Sequence, residues 1–82
     1  MDEAWMTDPL TGWSVRFHKD HRSWSQDPYV FLDTGKAMAD ASPPLLKDRR
    51  HLRRDDARKV WKQLAERGWK KSKPAWGVYT EP

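Results

Sequence analysis

The stretch LRRDDARKVWKQLAERGW, residues 52–69, decides the fold. Ala57, Val60, Trp61, Leu64 and Ala65 stand at i, i+3, i+4, i+7 and i+8, one stripe of a helix running from about Arg54 to Arg67. Asp55 and Asp56 fall in its first turn, where the helix dipole favours anions, and Leu52 is placed to staple against Ala57. Gly68 follows as the left-handed residue beyond the C-cap, so Trp69 can fold back on Leu64 in a Schellman motif. A single apolar stripe cannot bury itself; it needs a sheet or another helix to lie on.

The flanking segments offer strands. Trp13, Val15 and Phe17 alternate with polar residues at the period of a half-buried strand. Tyr29 to Asp33 is rich in aromatic and β-branched residues and is closed by the turn residues Asp33-Thr34-Gly35, so it reads as a second strand paired antiparallel to the first. The polar connection from Lys19 to Pro28 ends in Asp27-Pro28, whose ring holds its predecessor extended. Residues 36–44 end in Pro43-Pro44 and read as a loop or short turn. Leu45 to Leu52 has no clean period and reads as a short edge strand leading into the helix. Trp69 to Lys73 makes a last extended segment, stopped by Pro74. The expected fold is therefore α+β. It has a small antiparallel sheet of three or four short strands in ββ(β)αβ order, with the 54–67 helix on one face. Residues 12–76 form the single domain, residues 1–11 a flexible N-terminal arm without periodicity, and residues 77–82 a tail.

With 82 residues, 34% charged and 37% hydrophobic, the chain holds one small domain, which excludes a multidomain enzyme. A domain of this size must draw its stability from a few large side chains, and six tryptophans supply them. Trp13, Trp61 and Trp69 occupy inward positions of the elements, whereas Trp5, Trp24 and Trp76 lie in loops or tails. Trp24 beside Arg22 and Trp76 beside Lys73 are the candidate surface anchors. The absence of cysteine removes disulfides and thiolate metal sites. The longest apolar run, Tyr29 to Leu32, is far short of the ~20 residues of a membrane-spanning helix, and the acidic N-terminus carries no readable export signal. A cytoplasmic setting is expected.

Charge is segregated along the chain. Lys47 to Lys73 holds twelve Lys and Arg against four Asp and Glu, a net of +8, whereas the remainder carries a net of −4. Arg54, Arg58 and Lys62 stack on one helix ridge, where like charges destabilise by a few tenths of a kcal/mol per pair. That ridge borders the apolar stripe on the Trp61 and Ala65 side and should run beside the sheet. Together with Arg50, Arg53, Lys70, Lys71 and Lys73 it is a candidate site for nucleic-acid phosphates or another anionic partner. His18, His21 and His51 with Asp20 are too sparse for a metal centre, so neither a metal nor a cofactor is expected. No nucleophile motif or phosphate-cradling Gly-rich loop is present. The chain also leaves no room for an enclosed pocket of ~300 Å³ or more, so neither catalysis nor a small-molecule substrate is expected.

The run from Leu52 to Trp76 resembles the signature of a family of small cyanobacterial proteins, the domain of unknown function 1651. Ala57, Trp61, Leu64, Gly68, Trp69, Pro74 and Trp76 match its later part; Gly12, Trp13, Arg16, Phe17 and His18 match its earlier part. The resemblance implies a cyanobacterial source and an intracellular setting but brings no activity and no catalytic residue. The family usually places Ser or Thr before the helix, where this chain has Arg53; losing a side-chain N-cap costs about 1 kcal/mol. The functional expectation is a non-catalytic module binding DNA or RNA backbone through the basic ridge. The alternative is an adaptor that docks on an acidic surface of a larger cyanobacterial assembly.

Overall fold

The computed structural model describes residues 3–38 and 43–77. Five strands and one helix follow in the order β1 (Glu3–Thr7), β2 (Trp13–Lys19), β3 (Tyr29–Lys36), β4 (Leu45–Arg53), α1 (Arg54–Glu66) and β5 (Lys70–Lys71). They make an α+β fold with one antiparallel sheet ordered β4-β3-β2-β1-β5, so β4 is an edge strand as expected, extended by one residue to Arg53.

The 1–11 segment is the main correction. Its residues 3–7 form β1, fully paired to β2 from Glu3 opposite His18 to Thr7 opposite Ser14, and they bring the order to ββββαβ. Periodicity failed there for a physical reason. Successive residues Trp5 and Met6 are both buried, on opposite faces of the sheet, so no polar residue alternates with an apolar one. Asp8 closes the β1–β2 connection by accepting from the Leu10 amide and the Thr11 hydroxyl. Residues 39–42 of the expected 36–44 loop, and residues 78–82 of the expected tail, lie outside the described residues.

Cross-strand partners share a face, so the register sorts the side chains into two layers. On one face Met6, Val15, Phe17 and Leu32 pack with Ala57 of α1, and Val30, Leu52, Val60, Trp61, Leu64 and Trp69 close around them. The Trp61 ring meets Phe17 edge-on at 5.0 Å. Of the predicted helix stripe, Ala65 alone is exposed. The helix end follows the predicted motif bond for bond: the Gly68 amide donates to the Ala65 carbonyl, the Trp69 amide to the Leu64 carbonyl, and Gly68 sits at φ 95°.

The opposite face also has a core. Trp5, Ser14, Arg16, Asp33 and Gly35 are buried there, and Trp76 packs over Trp5 and Gly35, T-shaped on the Trp5 ring at 4.6 Å. Trp76 is 7% exposed, which removes it as a surface anchor. Its seat exists because Gly35 lacks a side chain: a Cβ there would stand 3.0 Å from the Trp76 ring and 2.9 Å from the Leu45 carbonyl. The sheet is thus covered by a helix on one side and by the chain's last described turn on the other. Sequence position alone had put Trp5 and Trp76 at the periphery.

Candidate functional site

The helix leaves β4 directly. Arg53, its N-cap, has extended backbone (φ −60°, ψ 148°) and makes no side-chain cap bond. Each i to i+4 step then advances about 40° around the axis, so a ridge that starts beside the sheet turns gradually outward. Arg54 and Arg58 face a cleft between α1 and the sheet, whereas Lys62 has rotated away from it. All three are exposed.

The other predicted cations fall into two groups. Arg50, opposite Leu32 on β4, and Arg53, at the end of that strand, belong to the edge from which the helix starts. Lys70 and Lys71 form β5 at the other edge, with Lys73 just beyond, four strand spacings or about 19 Å away. One continuous patch is therefore not formed; the helix ridge is what lies between the two groups. Trp24 is 77% exposed, in the β2–β3 connection.

The sequence could not show where the acids go. Asp33 is fully buried and accepts from Nε and Nη2 of Arg49 at 2.6 and 2.9 Å and from Nε2 of His18 at 2.7 Å. Nη1 of Arg16 stands 4.0 Å from the same carboxylate, and Glu3 accepts from Arg16 at 3.2 Å and from Trp5 Nε1 at 2.6 Å. Burial pushes the Asp33 carboxyl up, but the hydrogen bonds from Arg49 and His18 and their charges more than reverse this and leave it below the ordinary aspartate range. Glu3 is lowered in the same way, burial opposing and the bonds from Trp5 and Arg16 prevailing. Asp20 is lowered by the Arg22 backbone amide first, then by His51. His18 and His51 thus serve different carboxylates.

These partners come from strands paired by register: Arg16 lies opposite Asp33, and Asp33 opposite Arg49. Knowledge of the register was the missing signal. On the same face a row of rings crosses three strands: Tyr29 lies 4.7 Å from His51, His51 stacks 4.6 Å from Phe31, and Phe31 lies 5.4 Å from His18. The Arg49 guanidinium covers Phe31 at 4.6 Å.

Ridge and edge cations are served differently. Arg58 and Lys59 reach Asp55 and Asp56 only at 4.0 and 3.9 Å, both exposed contacts of little value, and Arg53 reaches Asp27 at 3.7 Å. Arg50, Arg54, Lys62, Lys70, Lys71 and Lys73 have no ion pair among the described residues.

The cleft beneath Arg54 and Arg58 has a volume of about 490 Å³ and opens to solvent. Ala4, Phe17, Val30, Ala57 and Trp61 give it an apolar floor. It is an open cleft and not an enclosed pocket of the kind considered from the sequence, and the short side chain of Ala4 lines it where β1 passes the helix. No helix among the described residues is long and apolar enough to cross a membrane.

No curated protein and no solved structure matches the chain. A family model does, over residues 3–76, and its span takes in β1, the Asp33 network and the Trp76 seat together with the helix. On that match the chain belongs to the family described as Protein of unknown function (DUF1651).

Proposed function

We propose that this protein is a non-catalytic module of the cyanobacterial cytoplasm that binds nucleic acid through the phosphate backbone, with Arg54, Arg58 and Lys62 as the central contacts and Arg50 and Arg53 beside them. The observation that carries this reading is how the charges are matched. Asp33, fully buried, and Glu3, half-buried, are engaged by Arg16, Arg49 and His18, so neither acid of the sheet neutralises the ridge. Three like charges at i to i+4 spacing are unfavourable in the free protein, and an external polyanion relieves that repulsion.

Titration of fluorescently labelled nucleic acid tests it. Contacts to about four phosphates predict binding that weakens roughly 50-fold for a single strand and roughly 150-fold for a duplex between about 50 and 200 mM salt. Absence of binding to DNA and RNA even at low salt sinks the proposal. A second reading, an adaptor on an acidic protein surface, is favoured by one observation: Trp24 is 77% exposed in the same connection as Arg22. On that reading Trp24→Ala abolishes capture of the partner without changing the melting temperature; on the first it leaves nucleic-acid affinity unchanged.

A further inference from the structure

The cleft beside the ridge combines two chemistries that a backbone contact alone does not need. Its floor is apolar and includes the rings of Phe17 and Trp61, and its rim carries Arg54, Arg58 and Lys19. Its one carboxylate, Glu3, is already held by Arg16 and Trp5. Arg54 and Lys19 have no ion pair among the described residues. The complementary occupant is a flat apolar group attached to an anion.

We infer that the cleft receives an unpaired base of a single strand, whose flanking phosphates lie on Arg54, Arg58 and Lys19. This rests on the backbone-binding reading and narrows it from nucleic acid in general to single strands. A base in a duplex is stacked on both faces and paired along its edge, so it cannot enter a cleft between helix and sheet without being flipped out. A single strand offers its bases at little cost, and stacking of one base on an aromatic ring tightens binding by about 5- to 150-fold. The volume of about 490 Å³ lies within the usual range for small-ligand pockets and suffices for one base and its sugar.

Two comparisons test the inference. The first needs no variant: fluorescence anisotropy of the wild-type protein with a labelled strand of about 12 nucleotides, its duplex, and an abasic strand of equal length with the same phosphates. The single strand should bind at least about fivefold more tightly than either of the others. The second uses Ala4→Leu, which fills the cleft and leaves every cation in place. That variant should lower single-strand affinity to the abasic level without changing the salt slope. If the abasic strand or the duplex binds as tightly as the single strand, the cleft takes no base while the backbone reading stands. If none of the three binds at low salt, both fall.

Discussion

Asp33 is the residue on which the helix-free face depends. It lies in the middle strand of the β4-β3-β2 trio and holds Arg49, His18 and, at longer range, Arg16. Removing one member of a buried ionic group costs more than the group itself contributes, because it leaves the others charged and unpaired. Asp33→Asn should therefore lose about 3–5 kcal/mol at neutral pH in urea unfolding. Its pH dependence has a definite sign. The folded pKa lies below the unfolded one, so this stabilisation is complete above the ordinary aspartate value and disappears as the pH falls through the lowered folded value. The gap between wild type and Asp33→Asn should therefore narrow steadily in acid; a gap independent of pH contradicts the assignment. Trp76 is the second decisive residue. Trp76→Ala should cost about 3–5 kcal/mol, as for a core aromatic, and Gly35→Ala should destabilise by displacing the same ring. Unchanged melting of both variants would return Trp76 to the surface.

At the scale of elements, the helix shows what local chemistry can specify. Its start at Arg54, its Asp55 and Asp56 first turn and its Gly68-Trp69 end all follow from side chains within one turn of each other, so they were legible. Of the predicted stripe only Ala65 is exposed, since a methyl at the edge of the stripe loses little by facing solvent. β1 was not legible, and β4, though placed to within one residue, offered no period that explained its charges. A strand buried on both faces has no alternation, and the charges of β4 find their reason only across the sheet, where Arg49 meets Asp33. The same limit hid much of the candidate site: Arg54 and Arg58 could be named from helix spacing, but Ala4, Phe17 and Lys19 reach the cleft through tertiary packing. The uncapped helix start gives a further prediction. Arg53 already has cap geometry, so Arg53→Ser should stabilise by about 1 kcal/mol, the lost exposed contact to Asp27 mattering little; thermal unfolding measures it. A drop in the melting temperature would show that the Tyr29 hydroxyl bond to Arg53, at 3.3 Å, matters more than the cap.

Over the whole molecule, the net charge of +4 describes neither half of the chain. The sheet draws acids inward to cations of its own strands, and the helix is left as a cationic ridge between two basic sheet edges. An 82-residue domain has about 4–12 kcal/mol of total stability, so a row of like charges is a liability unless a partner offsets it. The most direct measurement is the salt slope of nucleic-acid binding for wild type, Arg58→Ala, Lys62→Ala and, as a control on β4 outside the ridge, Lys47→Ala. Loss of one phosphate contact should reduce the slope by about one in each ridge variant and weaken binding alike for all sequences, with no change in Lys47→Ala. Equal slopes in all four proteins, or binding that the ridge variants leave intact, would contradict the assignment of the ridge as the phosphate-binding surface.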